Sequence, residues 1–441
     1  MESVRIGAGA GFSGDRLEPA VVLAERGRLD YLVLECLAER TIALAQLRRR
    51  HDPDGGYDPL LERRVELLLP HLQRNGIRLV TNMGAANPIG AARRIAEISR
   101  RLGCRLRIGA ISGDDVLGSL DLDQRALESG RPLREYDSII SANAYLGADA
   151  LLPALADGVD VIVTGRVADP SLFLAPLIHR FGWRIADVDR MARGTAVGHL
   201  LECAGQVSGG YFADPGKKDV PGLATIGFPF ADVDSDGNAT IAKVEGTGGR
   251  VDRATVTEQL LYEVSDPGAY VTPDVVADFT NVRIREDGTN RVAVAGATGR
   301  PRPASLKVSV GYHAGFVGEG EISYGGTNAI ARARLAGDIV RERLRREIGE
   351  LHVGLIGSTA LQGRSLFVDQ KPYEVRLRVA ARCRSKEAAW RVGEEVEALY
   401  TNGPAGGGGA RKSVYEQVGI VSCFVARDRV APRVTFFESV P

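Results

Sequence analysis

Val159-Asp160-Val161-Ile162-Val163-Thr164-Gly165-Arg166-Val167-Ala168-Asp169-Pro170 is the stretch whose reading decides the fold. It opens as an apolar, β-branched run of strand length, the composition of a strand buried on both faces. Thr164-Gly165-Arg166 then stands at the C-terminal end of that strand. In a parallel sheet the ligand crevice lies outside such ends. Arg166 and Asp169 are therefore candidates for substrate contact. The plainer reading is a loop brace, in which Asp169 does no more than hold Arg166.

Working back towards the N-terminus, the same pattern repeats. Residues 3–9 read as a strand ending in glycines, and Tyr31-Leu32-Val33-Leu34 as a second. Ile77-Arg78-Leu79-Val80-Thr81 is a third, delivering Asn82-Met83-Gly84-Ala85-Ala86-Asn87-Pro88 to its end. Leu106-Arg107-Ile108-Gly109-Ala110-Ile111 is another, followed by Ser112-Gly113-Asp114-Asp115. Helical stretches at 41–50, 60–75 and 89–102 separate them. Strand–helix alternation at this spacing predicts βαβ units and a parallel sheet. Its strand ends would gather Glu35, Asn82, Asn87, Arg166 and Asp169 on one rim.

Working forward, Gly198-His199-Leu200-Leu201-Glu202-Cys203 puts His199, Glu202 and Cys203 at i, i+3 and i+4. On a helix they share a face. Asp169, Glu202 and His199 are the candidate acid–base residues. Arg166 is the candidate for gripping a carboxylate bidentately, and Asn82 with strand-end amides for stabilising an oxyanion. A Cys203 nucleophile with His199 as its base is the weaker alternative, because that spacing turns both side chains outward. A His–Glu pair is also a common structural pair, and without a second such pair no metal site is assigned.

Beyond residue 216 the composition shifts to short β-like runs and turns, with a helix near 254–262. From about 303 it shifts again. Leu306–Tyr312 reads as a strand with Phe316–Tyr324 as its hairpin partner, a helix runs from Ala329 to Glu350, and further strands fall at 352–356, 374–381 and 418–425. The predicted fold is thus α/β: a parallel-sheet βαβ domain at 1–216, a β-rich insertion or subdomain at 217–302, and an α+β sandwich at 303–441. In the last, Gly406-Gly407-Gly408-Gly409-Ala410-Arg411-Lys412 is a candidate anion-binding loop, since bare backbone amides beside two cations suit phosphate. A mobile surface loop is the plainer reading. Gly325-Gly326-Thr327-Asn328, ahead of the long helix, is a second such candidate, with Asn328 at least a cap.

The 441 residues carry 56 basic and 56 acidic side chains, which argues against a nucleic-acid partner. Five scattered cysteines without a CxxC suggest a reducing, cytoplasmic setting, and no apolar run reaches membrane-spanning length. Gly9-x-Gly11-x-x-Gly14 followed by Glu35 matches a dinucleotide fingerprint in spacing, so an NAD(P)-dependent oxidoreductase is one alternative. Asp15 beside the last glycine speaks against a pyrophosphate there.

Several stretches together resemble one family. They are Gly11-Phe12-Ser13-Gly14-Asp15-Arg16, Leu29-Asp30-Tyr31-Leu32 with Leu37-Ala38-Glu39-Arg40-Thr41, Thr81–Pro88, Thr164–Asp169 and His199-Leu200-Leu201-Glu202-Cys203. The set is similar to the acyclic terpene utilisation (AtuA-like) proteins over nearly the whole chain. Where that family often has a Gly-Gly-Met or similar turn, this chain has Met83-Gly84-Ala85-Ala86. It ends at Pro441 and is expected to lack the small C-terminal domain of longer members. The resemblance implies a metabolic setting: members are encoded beside enzymes that degrade citronellol and geraniol as coenzyme A thioesters. The expected function is acid–base chemistry on an acyl-CoA or small carboxylate, as hydration, dehydration or hydrolysis. Coenzyme A would enter as part of the substrate, with no other cofactor assigned. A homo-oligomer is expected, with no nucleic-acid or membrane partner. A ligand-binding protein of an acyl-CoA pathway is the other alternative.

Overall fold

The computed structural model of the protein describes residues 3–364 and 372–439. It is a mixed α/β structure. In chain order it begins with β1 (Ser3–Ala10), α1 (Glu18–Arg26), β2 (Tyr31–Leu34), α2 (Glu39–His51), α3 (Leu61–Asn75), β3 (Arg78–Thr81), α4 (Pro88–Arg101) and β4 (Leu106–Ser112). There follow β5 (Ile139–Ala144), α5 (Leu152–Ala156), β6 (Val161–Thr164), α6 (Asp169–Phe181) and α7 (Val188–Glu202). The next stretch holds β7 (Pro229–Asp234), β8 (Ala239–Lys243), α8 (Arg253–Leu261), β9 (Tyr270–Val271), β10 (Val276–Asp278), β11 (Arg283–Glu286), β12 (Arg291–Ala295) and β13 (Thr298–Arg300). The remainder is β14 (Ser305–Gly325), α9 (Ala329–Leu344), β15 (Leu351–Ile356), β16 (Glu374–Cys383), α10 (Lys386–Glu397), α11 (Leu399–Asn402), β17 (Gly407–Ala426) and β18 (Arg433–Ser439).

The chain divides into two compact units. Met1–Glu135, Ile139–Gly311 and Ile420–Pro441 form the first, and Tyr136–Ser138 with Tyr312–Gly419 the second. The first is built on one ten-stranded sheet in the order β11-β12-β8-β7-β1-β2-β3-β6-β4-β18. Its centre, β1-β2-β3-β6-β4, is parallel. The apolar run Val161–Thr164 is β6, wholly buried between β3 and β4. The 217–302 stretch supplies β7, β8, β11 and β12 to the same sheet, with β7 antiparallel to β1. On the other side β18 pairs antiparallel with β4, covering the edge that β4 would otherwise expose.

The helices follow from local pattern. In α3, Leu61, Val65, Leu68, Leu69 and Leu72 recur at helical spacing and are buried. The helix stops at Gly76, whose φ of 64° is left-handed, a conformation glycine adopts without strain. α4 starts at Pro88 behind the cap Asn87. Among the described residues no helix is long and apolar enough to cross a membrane.

The second unit is a sheet in the order β15-β16-β14-β17. Ile322, Tyr324, Leu377 and Val379 bury against Ala333 and Val340 of α9 and Val392 and Val396 of α10. Two expectations are corrected here. The segments at Leu306–Tyr312 and Phe316–Tyr324 are not hairpin partners but parts of one strand, β14. Gly315, with φ of 89°, lets the strand continue through a left-handed residue instead of reversing. The glycine run is not a loop either. Gly406 lies in a turn, but Gly407, Gly408 and Gly409 open β17. A Cβ on Gly407 would meet Ile322 at 2.9 Å and Tyr324 at 3.2 Å, so close packing accounts for that glycine.

Candidate active site

The ends of the five parallel strands converge. Gly11 follows β1, Glu35 follows β2, Asn82 follows β3, Asp114 lies just past β4, and Gly165-Arg166 follow β6. The polypeptide of α7 reaches the same rim because Gly11 has no side chain. A Cβ there would sit 2.4 to 2.8 Å from the backbone of Cys203, directly after the end of α7. Only glycine permits that approach, and it carries Glu202 and Cys203 over the strand ends.

Between them lies a cavity of about 710 Å³. Among the described residues it is lined by six acids, Asp15, Glu35, Glu39, Asp169, Glu202 and Glu263, and two arginines, Arg16 and Arg166. Phe12, Leu37, Tyr211, Leu223, Ile226, Phe228 and Tyr262 give it apolar walls.

Arg166 organises the floor. Its residue is 1% exposed. One terminal nitrogen donates to the Leu37 carbonyl, the other to Asp169 Oδ1 at 2.6 Å, and the guanidinium lies 4.3 Å over the Tyr145 ring. Its backbone N–H donates to Asp114 Oδ2 at 2.9 Å, which also accepts from Asn143. Burial opposes the arginine's charge, but Asp169, Glu35 and Glu39 hold it firmly protonated. The same field sorts the acids. Glu39 is only half-buried; partial desolvation favours its neutral form, yet Arg166, the Tyr145 hydroxyl and Lys307 hold it down at about 2. Glu35 is pushed well up, by burial first and by the charge of Asp169 second. Asp169, with a third of its side chain facing the cavity, is raised to about 7 by desolvation against the pull of Arg166, with Glu202 and Glu39 adding repulsion.

Glu202 is held by His199, its Oε1 lying 2.8 Å from Nδ1. The other ring nitrogen, Nε2, is 3.2 Å from the Leu260 carbonyl, which can only accept. Nε2 therefore carries a proton. A neutral His199 then presents a bare Nδ1 to Glu202, so the carboxyl must be the donor; otherwise the imidazole is cationic. Either way the pair holds one shared proton. Burial raises Glu202 despite the bond to His199. Tyr270 and Phe279 enclose the imidazole, at 4.9 and 5.9 Å between ring centroids. Among the described residues no group of three or more His, Cys, Asp or Glu is arranged to hold a metal ion.

Of the residues picked out in the sequence, Arg166, Asp169 and Glu202 line this cavity, with His199 directly behind Glu202. Asn82 and Asn87 do not line it. Asn82 is fully buried, its oxygen accepting from the Cys36 N–H and its nitrogen donating to Glu35, so neither end faces a ligand. Asn87 caps α4 through the Gly90 N–H and ties down the 53–55 turn through three carbonyls. Arg166 spends both terminal nitrogens within the protein, so its role is to hold Asp169. Gly406, Gly407, Gly408, Arg411 and Lys412 belong to the second unit, where Lys412 pairs with Glu397. Asn328 makes no side-chain cap bond. The dinucleotide-like turn is filled from within: Asp15 Oδ2 accepts from the Gly11 N–H at 2.7 Å. Burial drives the Cys203 thiol away from the thiolate.

Glu39, Tyr145 and Glu263 are among the lining residues that the sequence did not single out as site residues. Glu39 lies in a quoted family stretch, and its signal was position, four residues beyond Glu35. Tyr145 and Glu263 carried none, since the strand before Tyr145 has the unremarkable sequence Ile-Ile-Ser-Ala-Asn-Ala.

No curated protein and no solved structure matches this chain. The sequence does match the acyclic terpene utilisation family protein AtuA over residues 4–436. The cavity's glycine contact, arginine floor and carboxyl groups all lie inside that span, and the chain belongs to the acyclic terpene utilisation family AtuA.

Proposed function

We propose that the protein is an enzyme that adds or removes water on the acyl part of a thioester such as an acyl-CoA, with Asp169 and Glu202 moving the protons. One observation carries this reading. Two carboxyl groups with unlike partners, Asp169 on Arg166 and Glu202 on His199, border a single cavity that also has apolar walls in Phe12, Leu37, Leu223, Ile226 and Phe228. Acid–base catalysis needs such a pair, one ionised and one protonated near neutral pH.

In the hydration direction, Asp169 takes a proton from a water molecule as that oxygen bonds to an acyl carbon. Glu202 gives its proton to the neighbouring carbon, and the double bond between them is consumed. The two carboxyls finish with exchanged protonation states, which solvent resets. His199 supports Glu202 by accepting or returning the shared proton at Nδ1. The lining favours an uncharged reacting group, since a free carboxylate would meet those acids that stay ionised, Glu39 among them, while Arg166 is already engaged.

The test is a panel of saturated, unsaturated and 3-hydroxy acyl-CoA thioesters incubated with the protein and read by mass spectrometry. Gain or loss of one water on at least one member supports the reading. Binding without any mass change would favour a ligand-binding protein instead.

A further inference from the structure

Asp169 and Tyr145 face two spaces, not one. Besides the main cavity, both line a second cavity of about 290 Å³. Its walls are mainly apolar, including Ala168, Pro170, Pro273, Pro303 and Leu306. Among the described residues its one cation is Lys307, turned to Glu39 at 3.4 Å and to the Tyr145 ring at 5.0 Å. The volume equals roughly ten water molecules.

Tyr145 and Asp169 stand between the two spaces. Tyr145 is held with Arg166 and Lys307 both against its ring and its hydroxyl on Glu39, so it is a wall. Asp169 sits at the first turn of α6 with its free edge towards the cavities. A ligand chain passing Asp169 would meet the apolar side chains Ala168, Pro170 and Leu306 on the far side.

We infer that the second cavity receives the aliphatic end of the substrate, so that the chain runs past Asp169 and reacts at an interior carbon. The ligand class is an acyl chain too long for the main cavity, with an unsubstituted hydrocarbon tail. This rests on the proposed reaction, which sets the thioester end in the main cavity.

The experiment is calorimetric binding of butanoyl-, hexanoyl-, octanoyl- and decanoyl-CoA to the full chain, with coenzyme A alone as the control. The wild-type protein is expected to gain affinity by roughly fourfold per buried methylene across the longer members. Ser305→Trp, placed to fill the second cavity, is expected to abolish that gain while leaving butanoyl-CoA affinity unchanged. Val271→Trp, at an exposed rim position 61% open to solvent, serves as a second blocking variant that does not disturb the core. If both variants bind decanoyl-CoA as wild type does, the tail does not enter this cavity and the inference is overturned. If no thioester, butanoyl-CoA included, binds the wild-type protein more tightly than coenzyme A, the proposed reading of the main cavity falls, and this inference with it.

Discussion

Replacing Arg166 by methionine keeps the length and apolar bulk of the side chain and removes its charge. Arg166 is the buried countercharge for Asp169, Glu35 and Glu39. The consequence depends on pH, and the sign follows from each acid. Glu39 is held below its ordinary value, so its contribution to stability is present above about pH 4 and is lost as pH falls towards 2. Asp169 and Glu35 are held above theirs, so the fold loses stability as pH rises from about 4 through the raised values, with Asp169 crossing at about 7. At pH 8 Asp169 is ionised, and the variant leaves that partly buried carboxylate without its countercharge, which costs about 3 kcal/mol. At pH 5 Asp169 already carries a proton in the folded protein. The loss there is about 1–2 kcal/mol, mainly the bond to the Leu37 carbonyl, with only a small part from the solvent-screened Glu39. Urea denaturation at the two pH values measures the difference. Trp183, 6% exposed, reports on the first unit, and Trp390→Phe removes the reporter of the second. Equal losses at pH 5 and pH 8 would refute Arg166 as the countercharge of the site.

Gly11→Ala forces a methyl group against the Cys203 backbone, and backbone on both sides leaves little room to yield. A loss of about 1–3 kcal/mol, with reduced ligand binding, is expected in thermal denaturation and calorimetry. Asn87→Ala removes the cap of α4 and the tie to the 53–55 turn, lowering stability by about 1–3 kcal/mol while the folded fraction keeps its ligand affinity. Arg411→Ala with Lys412→Ala disturbs only exposed charge on β17, so stability is expected to change by less than about 1 kcal/mol and coenzyme A affinity by no more than about twofold. A tenfold, salt-sensitive loss of affinity would instead make the glycine-rich strand an anion site.

The sheet was legible where chemistry and geometry coincide. β2, β3, β4 and β6 are short apolar runs ending in turn residues, and their order as βαβ units brings their ends together. That alone located Arg166, Asp169 and the neighbourhood of Glu35. The helical spacing of His199 and Glu202 was equally readable, and the two side chains do pair at 2.8 Å. What sequence could not convey is whether a polar side chain is free. Asn82 and Asn87 occupy the expected rim, yet backbone partners consume their amides. Arg166 is engaged for the same reason. His313-Ala314-Gly315 has the composition of a hairpin turn, but pairing with β16 from Phe316 onward carries β14 straight through it. β5 was missed because Ser, Ala and Asn have little strand signal of their own. β18 does alternate, as Arg-Val-Thr-Phe-Phe-Glu-Ser, and could have been found.

The central claim is that Asp169 and Glu202 exchange protons with the substrate. It is tested most directly by incubating the protein in heavy water with the acyl-CoA on which water is gained or lost, and measuring deuterium at the acyl carbons. The wild-type protein should place deuterium on the carbon that receives the Glu202 proton. Asp169→Asn and Glu202→Gln should each lose that incorporation by a factor of about 100 or more, with melting temperatures near the wild-type value. Undiminished incorporation in both folded variants would contradict the assignment of these two carboxyls as the acid–base pair.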